Sequence, residues 1–240
     1  MNTLIKLIVS GIVGSLMMSC NINFGPGIDG DRNVVTMERQ ISNDFENIKV
    51  SQGLDLYITQ SNSVALNVEA DENLHELIKT EVEDNTLKIY TSSNIRSAAS
   101  KKIMLEIEDI SAIKATSGSD VFSTNTIEAN ALTLETTSGA DMKLDVKTNT
   151  LNCRVTSGSD LKLSGSTELL VAEATSGSDI KAANLKAVTS KVKASSGADI
   201  SVNTSKELTA RATSGADIRY VGNPTVVNKS DTSSGSVRSQ

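Results

Sequence analysis

The chain is expected to fold as an all-β protein: a single-stranded β-helix (β-solenoid) with coils of about 20 residues and one short capping helix near its N-terminal end. Three observations predict this. A six-residue motif, ATSGSD at Ala115–Asp120, returns as TTSGAD, VTSGSD, ATSGSD, ASSGAD and ATSGAD, and a last, altered copy reads TSSGSV. Its glycines, Gly118, Gly139, Gly158, Gly177, Gly197, Gly215 and Gly235, are 21, 19, 19, 20, 18 and 20 residues apart, a period too short for helix-pair repeats. Aromatic residues make up 2% of the chain, with no Trp, so the core has to be narrow and filled by Val, Ile, Leu and Ala.

If successive coils lie about 4.8 Å apart, residues at one position of each coil form ladders. The position after the motif Asp holds Val121, Met142, Leu161, Ile180, Ile200 and Ile218, all of them aliphatic. The next holds Phe122, Lys143, Lys162, Lys181, Ser201 and Arg219, and the one beyond it Ser123, Leu144, Leu163, Ala182, Val202 and Tyr220. This alternation is the period of a strand with one buried face. Upstream of the glycine, Ile113, Leu134, Cys153, Ala172, Val192 and Ala210 form a second inward column. Beside it run Lys114, Glu135, Arg154, Glu173, Lys193 and Arg211, whose sign alternates along most of the column so that neighbours can pair. Gly118, Gly139, Gly158, Gly177, Gly197 and Gly215 are read as structural corners, because a bend between strands favours a residue that takes positive φ without a Cβ clash. The flanking Ser and Thr hydroxyls and the Asp carboxylates are expected to bond backbone groups left free by the bend.

Before residue 111 the repeat is irregular, yet FENIKV, GLDLYIT, SVALNVEA, NTLKIYT and KKIMLEIE read as strands. Between them, DENLHELIKTEV spaces Leu74, Leu77, Ile78 and Val82 at helical intervals behind an acidic first turn. That is the expected capping helix, closing the open end of the stack, with His75 on its surface. The expected organisation is a lipoprotein signal peptide over 1–19, a flexible tether over 20–36 and the solenoid over 37–240. Within the solenoid, coils are irregular over 37–110 and regular over 111–237.

The signal reading rests on Lys6, the apolar run Leu7–Met18 and small Ser19. A largely apolar run of twelve residues is too short to span a bilayer. Cys20 directly after the run resembles a lipobox, so Cys20 is expected to carry lipid and make the membrane a partner; the alternative is an ordinary secretory peptide cut nearby. The other cysteine, Cys153, then has no partner and, standing in an inward column, is expected to be a buried structural residue. The net charge of -6 and the scarcity of rings argue against nucleic acid as a partner.

The opening Phe45, Ile48, Val50, Gly53 and Ile58, the strand residues Leu87 and Ile89, and the serial Ser-Gly-Ser/Ala-Asp corners resemble the auto-transporter adhesin "head GIN" domain family over residues 41 to 237. The resemblance implies a β-helical domain exported to the envelope of Gram-negative bacteria, at the outer membrane or cell surface and often lipid-anchored. It carries no catalytic or ligand residues with it.

The sharpest chemical feature is the column Asp120, Asp141, Asp160, Asp179, Asp199 and Asp217. Carboxylates stacked about 5 Å apart repel. Ca²⁺ between coils is one way to offset that; capping of the corners, with Lys143, Lys162, Lys181 and Arg219 screening the row, is the other and the preferred one, since calcium-binding solenoids repeat every nine residues or so. No cofactor is otherwise called for. A catalytic pair usually interrupts a repeat, and nothing interrupts this one, so the chain is expected not to be an enzyme. The expected function is adhesion or surface recognition of a partner in the envelope or outside the cell. Alternatives are a structural envelope module that self-associates and a Ca²⁺-dependent glycan-binding or glycan-active protein.

Overall fold

The computed structural model describes residues 27–231 and 234–240; the expected signal segment and Cys20 lie outside the described residues. The strands in chain order are β1 (Ile28–Asp29), β2 (Val34–Arg39), β3 (Asn47–Val50), β4 (Asp55–Gln60), β5 (Ala65–Asp71) and β6 (Ile78–Glu83). They continue as β7 (Thr86–Thr91), β8 (Ile95–Ser97), β9 (Lys101–Ile107), β10 (Ala112–Thr116), β11 (Asp120–Thr137) and β12 (Asp141–Thr156). The last six are β13 (Asp160–Thr175), β14 (Asp179–Ser195), β15 (Asp199–Ala212), β16 (Asp217–Val221), β17 (Val226–Asp231) and β18 (Ser236–Ser239). Sixteen of them form one sheet wound as a β-solenoid of about 7 turns, while β1 and β8 pair apart from it.

From β10 onward every pairing is parallel and joins equivalent positions of adjacent coils. Ile180, Ile200 and Ile218 stand in register and are 1%, 1% and 0% exposed, so the inward ladder is one continuous aliphatic spine. Two further inward columns complete the interior: Ile127, Val146 and Leu185, and Leu132, Leu151, Leu170 and Leu208. Coils differ in length because bulges absorb the extra residues, at Phe122/Thr126, Lys162/Ser164 and Ala182/Lys186. The corners therefore stay in register although the spacing of the motif varies.

At each corner two consecutive residues take the left-handed conformation. The Ser before each glycine lies at φ 54 to 60° and the glycine at 64 to 74°. At Gly158 no neighbouring atom lies within 4 Å of where a Cβ would be, so backbone conformation alone favours glycine there. The glycine N–H donates to the Ser carbonyl of the next coil, as from Gly158 to Ser176 at 3.2 Å, so each bend is stitched to its neighbour.

The residue after each corner glycine, Ser119, Ala140, Ser159, Ser178, Ala198 or Ala216, is fully buried. Ser119 Oγ donates to the Thr116 carbonyl at 2.8 Å, and Ser178 Oγ stands 2.9 Å from the carbonyls of Thr175 and Val155. Ser159 Oγ is buried without a hydrogen-bond partner. Ser159→Ala, which installs the residue that other coils already carry, is expected to stabilise the fold by about 1 kcal/mol, while Ser178→Ala costs about 1 kcal/mol. Urea midpoints of the two variants should move in opposite directions; a loss of stability in Ser159→Ala contradicts the account.

The expected capping helix is absent. Glu72–Leu74 form a single 3₁₀ turn, and the remainder of that segment is β6, paired antiparallel to β7. Two competing signals explain the difference. Asp84 and Asn85 both take positive φ, at 49 and 58°, and close a two-residue hairpin turn, which commits Ile78–Glu83 to a strand. Asp71, placed to cap a helix, makes no side-chain cap bond because its carboxylate is used elsewhere. The end of the stack is instead covered by the antiparallel set β2, β5 and β9 and by the β6–β7 hairpin. Residues 27–36, within the stretch expected as a tether, supply β1 and the first part of β2.

Candidate functional site

Straight inward ladders make straight outward ladders, and these form the exposed faces of the coil. On the face that follows the corner, Asp120, Asp141, Asp160, Asp179, Asp199 and Asp217 lie in register on adjacent strands, and Asp55 of β4 extends the row by one coil. The cations beside the row neutralise parts of it. Lys181 Nζ lies 2.6 Å from Asp160 and 3.2 Å from Asp179, and Arg238 lies 3.2 Å from Asp217. A hydrogen bond from Ser236, helped by Arg238 and Arg219, holds the Asp217 carboxyl below its usual range. At the other end burial pushes Asp55 and Asp120 up; the charges of Asp55 and Asp141 push Asp120 further, against Lys101. Exposed pairs of this kind contribute little each, so the row is a charge pattern more than a source of stability.

The carboxylates run one per coil. Among the described residues no three His, Cys, Asp or Glu side chains converge on a point that could hold a metal ion. The corner-capping role expected of the Asp side chains is replaced in large part by backbone bonds: the amide of Asp141 donates to the Ser119 carbonyl at 3.0 Å, and the other coils repeat the pattern. Along the column of alternating sign, Lys114 and Glu135 close to 2.8 Å.

A second feature escaped the sequence. Along another edge a groove of about 920 Å³ runs across five coils, from Glu128 to Ser205, with Asp109 at one end. Its floor is built by small residues in register, Ala129, Thr148, Thr167 and Ala187, where larger side chains would fill the space. Thr148 and Thr167 satisfy each other at 2.9 Å beneath the surface. The rim alternates cations with acids, hydroxyls and amides: Lys147 pairs with Glu128 at 3.2 Å, Ser166 and Lys186 follow in register, and Asn149 donates to Asn130 at 2.7 Å. Aligning coils on the small residues of this column, and not on glycine alone, would have found the groove. Its lining suits an extended, hydrogen-bonding ligand.

The remaining candidates are structural. His75, expected on a helix surface, is 3% exposed; its Nε2 lies 3.1 Å from the Val35 carbonyl and 3.3 Å from that of Ala70. Arg39 Nη2 donates to the His75 carbonyl at 2.6 Å. Cys153 is buried, and that burial pushes its thiol far above the usual value, which leaves it unreactive.

The family described as "Putative auto-transporter adhesin, head GIN domain" matches residues 44–224. A "putative adhesin" from Bacteroides fragilis NCTC 9343 superposes with a TM-score of 0.83 at 23% identity, covering 89% of this chain and 100% of that one. A "putative lipid binding protein" from Parabacteroides distasonis ATCC 8503 gives 0.73 at 22% identity, covering 90% and 100%. A "putative adhesin" from Parabacteroides merdae ATCC 43184 gives 0.70 at 18%, with the same coverage. At these identities the structures share the fold. No curated protein matches the chain.

Proposed function

The chain belongs to the family described as "Putative auto-transporter adhesin, head GIN domain", and from that premise we propose that it is a non-enzymatic recognition module held at the cell surface through a lipid on Cys20. The observation that carries the reading is the in-register stack itself. Because the coils do not drift, each outer column presents its groups at a regular spacing of about 4.8 Å, as the Asp row does, and weak contacts to a repetitive partner add up along the rod. The open groove across five coils offers the same regularity in concave form. Acids, hydroxyls and amides arrayed in this way favour binding over bond-making chemistry, since they are spread one per coil and none is set in a special relation to another.

Adhesion of whole cells tests both halves of the proposal. A non-adherent Gram-negative host displaying the full chain is expected to attach to mucin- or collagen-coated surfaces well above the empty host, and Cys20→Ala is expected to lose that attachment as the chain is shed. Wild-type cells that attach no better than the host, with the chain open to added protease, would remove the recognition reading. Undiminished attachment by Cys20→Ala would remove the anchor.

A further inference from the structure

We propose that Tyr57, backed by the ring of Phe122, forms a stacking platform for a pyranose ring of a neutral glycan, on the outer face near the N-terminal end of the solenoid. This names a ligand class and a place for the recognition reading above, and it rests on that reading. The chain has three Tyr, three Phe and no Trp. Two of these six rings, both half-buried, are stacked on one another across the β4–β11 pairing, with centroids 5.1 Å apart and planes 27° apart. Met104 of β9 stands in register with Tyr57 and continues the apolar strip.

Building the coil does not require these rings. In the coils that follow, the same outward column carries Lys143, Lys162, Lys181, Ser201 and Arg219 on unchanged strand pairing. The rings are thus a departure from the repeat, made where β9 and β5 bound a hollow of about 520 Å³ that Tyr57 lines, with Phe122 behind Tyr57 on the next coil. That volume falls within the roughly 300–1,000 Å³ of small-ligand sites.

The chemistry around the hollow selects the occupant. A pyranose ring presents a face of C–H bonds, slightly positive, that matches the negative face of an aromatic ring, while its edge carries hydroxyls that need partners. The walls provide those partners in Asn67, Glu69, Lys102, Glu106 and Thr124. Lys102 and Glu69 are held against each other at 3.2 Å, and Glu106 is held by Ser61 and Ser63 through Oε2, both at 3.2 Å, so these groups are pre-positioned. A nucleic acid also stacks on rings, but Glu69, Glu106 and the nearby Asp55 and Asp120 repel its phosphates. A lipid bilayer needs a free basic surface, whereas Lys102 at the hollow is paired with Glu69 and is outnumbered there by Glu69 and Glu106.

Saturation-transfer NMR of the purified full chain with maltohexaose, cellohexaose, xylohexaose, mannohexaose and chitohexaose is expected to show transfer to at least one of them. Tyr57→Ala and Phe122→Lys should each weaken that binding by roughly three- to tenfold, whereas Tyr57→Phe and the remote Tyr220→Phe leave it in place. Phe122→Lys installs the residue that succeeding coils carry at this position, so it keeps the fold, and a circular dichroism spectrum checks that. Silence of all five sugars on the wild type, binding undiminished in both platform variants, or binding to phosphatidylglycerol vesicles in place of sugars overturns the proposal. Cells carrying Phe122→Lys separate the two levels: if they adhere like wild type, the platform fails while recognition stands.

Discussion

Asp71→Ala is expected to cost about 3–5 kcal/mol at neutral pH and to release the N-terminal cap from the rest of the stack. Asp71 is 0% exposed, and its carboxylate accepts the backbone amides of Arg32 at 3.0 Å, Ala99 at 2.9 Å and Ser100 at 3.0 Å. These three donors come from two loops far apart in sequence, so one side chain fastens the segment around β1 and the β8–β9 connection to the end of β5. The chain passes so close that a Cβ on Gly30 would lie within 1.9 Å of Asp71 Oδ2. Removing the carboxylate leaves these three part-buried amides without their acceptor. Asp71→Asn keeps the shape but turns one oxygen into a donor facing donors, and it is expected to recover only part of the loss. Amide hydrogen exchange at Arg32, Ala99 and Ser100 reports the event directly; unchanged protection in Asp71→Ala would contradict the clamp.

The sign of the pH dependence follows from the same contacts. Burial alone pushes the Asp71 carboxyl up, but the amides of Ser100, Arg32 and Ala99 outweigh it and hold the group below its ordinary 3.8. A carboxyl whose folded value is depressed contributes stability that is fully present above its unfolded value and is lost as pH falls through the folded one. The stability gap between wild type and Asp71→Asn is therefore expected to be constant from pH 7 down to about 5 and to shrink below 3.8. A gap that widens on acidification would refute the assignment.

The regular coils were legible because their signal is columnar: six aligned copies turn a weak alternation into six-fold agreement, and the structure keeps those columns in register. The cap was not legible, because it occurs once. Leu74, Ile78 and Val82 satisfy a helical spacing, while Ile78, Thr80 and Val82 satisfy a strand spacing equally well, and the decision belongs to Asp84–Asn85 and to the tertiary use of Asp71. The two rings escaped for a related reason. Tyr57 and Phe122 are 65 positions apart and become neighbours only because β4 pairs with β11, two coils that the glycine count does not connect. The left-handed serines were hidden in plain view: alignment on glycine drew the argument for positive φ to one residue of a pair that shares it.

Gly165→Ala is expected to be a more damaging change than alanine at any regular corner, with a loss of at least about 3 kcal/mol. Gly165 lies inside β13, at φ 104°, in the inward column that holds Ile127, Val146 and Leu185 in neighbouring coils. A Cβ there would sit 2.0 Å from the Val146 carbonyl oxygen and 2.9 Å from its carbon, and the obstacle is backbone, which no rotamer change relieves. At Gly158 the space is open, so alanine pays only the left-handed penalty of about 1–2 kcal/mol. Because each coil touches mainly its neighbours, the damage should stay local. Exchange protection should fall around Val146 and Leu185 and in the groove rim and floor at Ser166 and Thr167, while β4 and β9 keep theirs. Equal urea midpoints for Gly165→Ala and Gly158→Ala would mean that the close approach of coil to coil at Val146 is wrong, and the same close approach is what shapes the groove floor beside it.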